Sequence, residues 1–168
     1  VRVSGYSSAT IRPREVAMLR RKIGYVFQDF RLLQDRTAAE NIAFALEVTG
    51  ARPAVIRSKV GRLLASVGLA ARAEKLPSEL SGGEQQRVAV ARALVHDPLV
   101  VLADEPTGNL DERATQGIFD LFRSINASGT AVLFATHNLE LVRRYADLRV
   151  IELDHGGIVY DSAMEKAV

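Results

Sequence analysis

The stretch Leu80-Ser-Gly-Gly-Glu-Gln-Gln-Arg87 and the run Leu99-Val-Val-Leu-Ala-Asp-Glu-Pro106 that follows it decide how this sequence folds. The first has the pattern of a loop that turns into a helix. The second has the pattern of a buried strand that ends in two carboxylates. Because functional side chains lie at the carboxyl ends of strands in parallel α/β sheets, the two stretches together predict a site for a nucleoside triphosphate.

The first stretch has two interpretations. Ser81 and Glu84 have the spacing of a capping box, which alone explains only why a helix begins here. A capping box does not need Gly82 and Gly83, however, and glycine costs about 0.5–1 kcal/mol relative to alanine inside a helix. The glycines favour a close approach of another group to the backbone, and the N–H groups of a helix start attract anions such as phosphate.

The second stretch ends in Asp104 and Glu105. An acidic pair can merely end a strand, but the four small or apolar residues before Asp104 fit a Walker B motif. In that interpretation, Asp104 holds Mg²⁺ directly or through water, and Glu105 orients and polarises the attacking water.

Two more polar residues follow runs that predict strands. Gln28 ends the β-branched and aromatic run that begins at Ile23, and a glutamine there can ligate Mg²⁺ or hold water. His137 follows the apolar run 131–136, which we expect to be a strand next to that of Asp104. His137 is then either a structural histidine or a contact to a terminal phosphate.

The rest of the chain predicts the architecture around these residues. Strands that alternate with helices predict a mainly parallel sheet covered by helices on both faces. Helical patterns fill residues 35–80, with a capping box at Thr37 and Glu40 and a helix start at Pro53, and so predict an inserted helical subdomain. The other expected elements are an edge-strand tail at 1–5, helices at 13–21, 81–95, 114–126 and 139–146, buried strands at 99–103 and 131–136, and a closing hairpin of 149–153 with 158–160.

Composition narrows the class of protein. The 168 residues are 48% hydrophobic and 25% charged, as is ordinary for one globular domain. The absence of cysteine excludes disulfides and thiolate metal sites. Basic residues cluster at 12–22 and 52–62, where they form either solvated helix faces or a footprint for anionic lipid or nucleic acid. Nucleic acid is disfavoured because no aromatic residues are interleaved with them.

In order and spacing, the motifs resemble the nucleotide-binding domain of the ABC (ATP-binding cassette) ATPases over essentially the whole chain. Gln28 matches the Q-loop, residues 80–84 the signature motif, residues 100–105 the Walker B motif, residues 108–111 the D-loop and His137 the switch histidine. The resemblance implies an α/β fold of the P-loop NTPase type. It divides residues 1–168 into an inserted helical subdomain at about 35–96 and a catalytic RecA-like core at 1–34 and 97–168.

The resemblance also implies ATP and Mg²⁺ as cofactors and a homodimer with two ATP molecules sandwiched between the copies. Glu105 and His137 are the implied catalytic residues, and Asp104 and Gln28 the implied metal ligands. The implied nucleotide-binding residues are Ser81, Gly82, Gly83, Glu84, Gln28 and Asp111.

Finer matches point within the family to bacterial cell-division members. They lie at residues 27–33, 35–37, 40–50 and 104–111, and the first of them favours cell division over lipoprotein release or macrolide export. The implied partner is an FtsX-like integral membrane protein, with this chain peripheral at the cytoplasmic face of the membrane.

One family motif is absent. No Gly-x-x-x-x-Gly-Lys-[Ser/Thr] pattern, the Walker A loop that cradles the phosphates, occurs in these 168 residues. Because the chain also opens with Val1 rather than Met, we expect that residues precede it in the natural protein and that this stretch alone is inactive. The alternative, of a different class, is a catalytically inert module that docks on a membrane partner.

Overall fold

Three parallel strands form the centre of this computed structural model, which describes residues 2–3, 5–145 and 147–165. The chain divides into two compact units, Val1–Thr136 and His137–Val168. The elements of the first unit are β1 (Arg2–Val3), β2 (Tyr6–Ser7), α1 (Pro13–Arg21), β3 (Ile23–Val26), α2 (Ala38–Val48), α3 (Pro53–Ser66), two 3₁₀ turns (Ala70–Arg72 and Pro77–Glu79), α4 (Gly82–Leu94), β4 (Val100–Asp104), α5 (Glu112–Ala127) and β5 (Ala131–Ala135).

The order of the central sheet is β3-β4-β5, and both pairings are parallel. Strand β4, which ends at Asp104, therefore lies between the strand that leads to Gln28 and the strand that leads to His137. This order confirms the prediction that the strand before His137 is a neighbour of the Asp104 strand. It also places the ends of β3 and β4 at one edge of the sheet.

The sheet differs from the prediction in how its faces are covered. Val26, Val101 and Phe134 point to one face, where they join an apolar cluster with residues of α4 and α5. On the opposite face Tyr25 is 42% exposed and Leu133 is 61% exposed. Leu99 is also exposed, so the prediction of a sheet covered on both faces, with 99–103 buried on both and 131–136 a second buried strand, is wrong for the described residues. An unbroken apolar run does not reveal that its alternate side chains have different surroundings.

Helices α2, α3 and α4 surround a second apolar cluster. The predicted capping box is confirmed, because the backbone N–H of Thr37 donates to Glu40 Oε2 at 2.8 Å and the N–H of Glu40 donates to Thr37 Oγ1 at 3.2 Å. The fully buried Asn41 ties the preceding loop to α2, accepting from the N–H of Leu33 at 2.8 Å and donating to its carbonyl at 3.0 Å. The end of the predicted helical stretch, residues 71–80, contains short 3₁₀ turns, the second of which begins at Pro77.

The start of the chain forms a small hairpin rather than only an edge-strand tail. Arg2 pairs with Ser7 and Val3 with Tyr6 in antiparallel register. Gly5 supplies the turn with a φ of 82°, a conformation that favours glycine. Val1 and Ser4, which also belonged to the predicted tail, lie outside the described residues.

The second unit contains α6 (Leu139–Arg143), β6 (Ile151–Asp154), β7 (Gly157–Asp161) and α7 (Ser162–Glu165). β6 and β7 pair in antiparallel register, which confirms the predicted closing hairpin. The helix predicted at 139–146 ends earlier, at Arg143, and Ala146 lies outside the described residues. Across the part of the chain that the structure describes, no helix is long and apolar enough to span a membrane.

Candidate functional site

An open polar pocket lies at the carboxyl edge of the central sheet. Its lining residues are Phe27, Gln28, Asp29, Arg31, Asp104 and Asn109. The parallel pairing of β3 with β4 brings Gln28 and Asp104 to this pocket although they are far apart in sequence. Two predicted site residues therefore line one pocket.

Asp104 is the last residue of β4, and its side chain is exposed at the sheet edge. The hydroxyl of Tyr25 on the neighbouring strand donates to Asp104 Oδ2 at 3.2 Å. Burial raises the pKa of Tyr25, and the hydrogen bond to the Asp104 carboxylate raises it further. Sequence reasoning missed Tyr25 because its pairing with Asp104 depends on strand register, which no local pattern gives.

Glu105 begins the turn that leaves β4. Its φ of 47° lies in the left-handed region, which costs a non-glycine residue of order 1–3 kcal/mol, and such residues are enriched at functional sites. Backbone hydrogen bonds hold this conformation: the N–H of Glu105 donates to the carbonyl of Ala135 at 3.0 Å, and its carbonyl accepts from Gly108 at 3.1 Å. The bond to Ala135 anchors Glu105 to β5.

The loop that carries Gln28 packs closely against residues 108–109. The side-chain amide of Asn109 donates to the carbonyl of Gln28 at 3.3 Å. A Cβ atom added to Gly108 would lie 2.7 Å from Gln28 Nε2, so a larger residue there would require the Gln28 side chain to shift. The predicted D-loop and Q-loop segments therefore meet within one chain.

Arg92 on α4 holds the next part of the same loop. Its guanidinium donates to the carbonyls of Arg31 at 2.7 Å and Phe30 at 2.8 Å, while burial lowers the pKa of Arg92. Phe30 and Arg31 both have positive φ, 56° and 49°. Two charge-assisted hydrogen bonds thus stabilise an otherwise unfavourable loop conformation.

Ser81 is the N-cap of α4, and its capping box with Glu84 is confirmed. The Ser81 N–H and hydroxyl both donate to Glu84 Oε2 at 2.9 Å, and the N–H of Glu84 donates to Ser81 Oγ at 3.3 Å. Arg72 also donates to Glu84, at 2.9 Å. The backbone N–H of Ser81 and then the Arg72 guanidinium hold the pKa of Glu84 below its usual value.

The two glycines after Ser81 allow a close approach within the chain itself. A Cβ on Gly83 would lie 3.1 Å from the Cβ of Ala114, and one on Gly82 would lie 3.3 Å from Leu110 Cδ2. The start of α4 therefore packs against the start of α5, which gives the glycines an intramolecular role. Their binding of phosphate stays a prediction.

Asp111 and His137 complete the set of predicted residues. Asp111 is the N-cap of α5, and its Oδ1 accepts from the N–H of Ala114 at 2.7 Å. His137 is the first residue of the second unit, two positions after the end of β5. The first unit thus brings Gln28 and Asp104 to one pocket, with Glu105 beside Asp104 in sequence, and brings the starts of α4 and α5 together.

The chemistry of the pocket fits Mg²⁺. Asp104 offers a carboxylate and Gln28 an amide oxygen, and oxygen atoms are the ligands that Mg²⁺ prefers. Among the described residues, no three His, Cys, Asp or Glu side chains gather into a ready metal site. The pocket therefore matches an ion held by one or two protein groups, with substrate phosphates and water as its other ligands.

Comparisons with known proteins agree with this arrangement. The sequence model of the family described as "ABC transporter" matches residues 3–108. The chain is 54% identical to the cell division ATP-binding protein FtsE of Mycobacterium tuberculosis, over 96% of this chain and 70% of that protein. It is 50% identical to FtsE of Bacillus subtilis, over 92% of this chain and 68% of that protein.

A solved structure also matches. It is described as the dimeric structure of a post-hydrolysis state of the ATP-binding cassette MJ0796 bound to ADP and Pi. The TM-score is 0.79 at 32% identity, over 95% of this chain and 71% of that one. This chain therefore belongs to the ABC transporter family, as an ATP-binding domain with FtsE among its relatives.

Proposed function

We propose that this protein is the ATP-hydrolysing subunit of a membrane complex that acts in cell division. The observation that carries the proposal is the edge of the central sheet, where Asp104 ends the middle strand, Glu105 follows it and Gln28 lines the same pocket as Asp104. The identity to FtsE proteins favours cell division over lipoprotein release, macrolide export or a docking module without catalysis.

In this proposal Asp104 and Gln28 bind Mg²⁺, which neutralises charge on the phosphates of ATP. Glu105 orients and polarises the attacking water, and His137 contacts the γ-phosphate. No Walker A pattern occurs in these 168 residues, so the proposal assigns to them only the groups that act on the metal ion, the water and the γ-phosphate.

The proposed assembly is a homodimer with ATP between the copies. The start of α4 in one copy, at Ser81, Gly82, Gly83 and Glu84, together with Asp111, would face the nucleotide of the other copy. Support comes from the packing of the starts of α4 and α5 against each other and from the dimeric state of the similar ADP-bound structure. The N–H groups at the start of α4 suit an anion.

The proposed partner is an FtsX-like integral membrane protein, with this chain peripheral at the cytoplasmic face of the membrane. The proposed division into a helical subdomain at about 35–96 and a core at 1–34 and 97–168 is supported by the separate apolar cluster of the helices. The membrane partner would meet the helical subdomain beside the loop that begins at Gln28.

Glu105→Gln tests the proposal in the protein expressed from its natural gene. Removing a base that acts on water should lower kcat by at least about 100-fold, while ATP still binds with its original affinity. The measurements are phosphate release and binding of a fluorescent ATP analogue. Glu74→Gln, at an exposed position, is the control and should hydrolyse ATP normally. Normal turnover by Glu105→Gln would refute the role of Glu105.

A further inference from the structure

Gln86 is a polar side chain on the buried face of α4. Its exposure is 0%, and Val90, one turn later on the same face, is equally buried. The amide nitrogen Nε2 donates to the carbonyl of Pro106 at 2.7 Å and lies 3.4 Å from the carbonyl of Phe27. The amide oxygen Oε1 is buried and has no hydrogen-bond partner.

The two carbonyls belong to the two loops that carry the proposed chemistry. Phe27 immediately precedes Gln28, and Pro106 immediately follows Glu105. The side-chain amide of Gln86 therefore links α4 by hydrogen bonds to the backbone of both loops. The bond from Asn109 to the carbonyl of Gln28 joins the same two loops a few residues further on.

Packing alone does not account for an amide at this position. A buried oxygen without a partner is unfavourable, and a methionine of similar length would fill the same space without one. Glutamine, unlike methionine, has an N–H donor that reaches both carbonyls. We therefore attribute the role of Gln86 to this donor.

We propose that Gln86 is a positioning residue that fixes Gln28 and Glu105 relative to the start of α4. This inference rests on the proposed function, because it gives the two loops a catalytic task. Ser81 is the N-cap of α4, and the Gln86 amide lies little more than one turn from this helix start, so a shift of the start also moves Gln86. The start of α4 is the proposed contact with the nucleotide of the other copy. Gln86 therefore links that contact to Gln28 and Glu105 of its own copy.

Gln86→Met tests the role because it keeps the length of the side chain and removes the donor. In the protein expressed from its natural gene, we expect kcat to fall about tenfold or more, since small displacements of catalytic groups cost this much. The Kd for ATP should stay within about twofold. The thermal midpoint should fall by no more than a few degrees, because loss of the donor to the buried Pro106 carbonyl is partly offset by removal of the unpartnered oxygen. Gln86→Leu provides a second variant without the donor.

Gln85→Met is the matched control. Gln85 is the preceding residue of α4, but its Nε2 donates to the carbonyl of Leu80, in the segment just before its own helix, at 3.1 Å. We expect this variant to keep the normal kcat. Equal losses in the two methionine variants, or a fall in kcat that only follows a fall in thermal midpoint, would overturn the proposal.

A double-mutant cycle with Gln28→Ala provides the readout that a purely structural role would not move. If Gln86 acts through the Gln28 loop, Gln86→Met should lower kcat much less in the Gln28→Ala background than in the wild type. Independent, multiplicative effects would contradict this coupling. Failure of the proposed function is distinct, because the wild type would then not hydrolyse ATP. Every outcome that overturns this inference leaves the wild type active, including the one in which Gln86→Met is as active as the wild type.

Discussion

At the scale of single residues, the carboxylate at the end of β4 is held by a neighbour from another strand. Asp104 accepts a hydrogen bond from the Tyr25 hydroxyl, and the Tyr25 ring packs against Phe27 with 4.3 Å between the ring centroids. An exposed aspartate would otherwise sample several rotamers. The hydroxyl therefore preorganises one oxygen of Asp104 and leaves the other available to a ligand.

Tyr25→Phe should make Mg²⁺ bind less well without unfolding the protein. The ring and its contact with Phe27 remain, and the lost hydrogen bond is partly exposed, so the free energy of unfolding should fall by no more than about 1 kcal/mol. The Mg²⁺ concentration that gives half-maximal ATP hydrolysis should rise several-fold.

The control for this experiment is Tyr6→Phe. Tyr6 lies on β2, where its ring is 5.6 Å from the ammonium of Lys22, and the phenylalanine ring keeps that contact. The measurement is a Mg²⁺ titration of phosphate release for both variants and the wild type. If Tyr25→Phe and the wild type have the same half-maximal Mg²⁺ concentration, the hydroxyl does not orient Asp104.

At the scale of secondary-structure elements, the position of α4 depends on its closest approach to the sheet. Gly24 of β3 lies directly under the helix, and a Cβ atom added there would be 2.6 Å from the carbonyl oxygen of Ala93. Backbone atoms cannot move aside as a flexible side chain can. Because α4 also carries Gln86 and Arg92, this contact sets how the helix reaches both loops of the site.

Gly24→Ala should therefore lower the free energy of unfolding by about 1–3 kcal/mol, as overpacking of a core does. Gly61→Ala is the matched comparison: Gly61 lies inside α3, and nothing is within 4 Å of its added Cβ. That substitution should stabilise the protein by up to about 1 kcal/mol, because alanine is the better helix former. Urea unfolding of both variants measures the difference, and equal stabilities would show that α4 can move away from β3 at no cost.

At the scale of the whole molecule, sequence predicts what is local and misses what depends on register. The capping boxes at Thr37 and Ser81 were predictable because a cap involves residues three apart. The adjacency of the strands that lead to Asp104 and His137 was also predictable, because consecutive parallel strands are usually neighbours. In contrast, the partner of Tyr25 and the group that approaches Gly83 come from distant parts of the chain.

One missed residue did carry a signal in the sequence. Gln86 occupies the same helix face as Val90, and a polar residue in an apolar stripe indicates either a buried hydrogen bond or a functional role. What the sequence does not give is which carbonyls the amide reaches. Those carbonyls belong to loops 59 and 20 residues away, and only the packing of α4 on the sheet brings them together.

The pH dependence of stability tests another set of contacts, most of them between residues close in sequence, summed over the molecule. Hydrogen bonds hold the pKa of several carboxyl groups below their usual values: Glu15, Glu40, Glu79, Glu84 and Asp161. A carboxyl group with a lowered native pKa stabilises the fold above its unfolded pKa, and the stabilisation is lost as the pH falls through the native value. We therefore expect the protein to lose stability below about pH 4.3, as these carboxylates become protonated.

We expect His96 to cause a separate loss of folding stability, which begins at a higher pH. Burial lowers its pKa, as do the nearby charges of Lys59 and Arg21, against a hydrogen bond to Ala45 and the charge of Asp97. As the pH falls, the unfolded chain therefore takes up this proton before the folded chain does, and stability should begin to fall below about pH 6.5.

Urea unfolding between pH 8 and pH 3 measures both losses. The midpoint should be constant above pH 7 and then decline in these two steps. His96→Gln should remove only the first step, while His155→Gln, on the exposed hairpin turn, should keep both. A wild-type midpoint that stays constant down to pH 5 would show that His96 does not link protonation to folding.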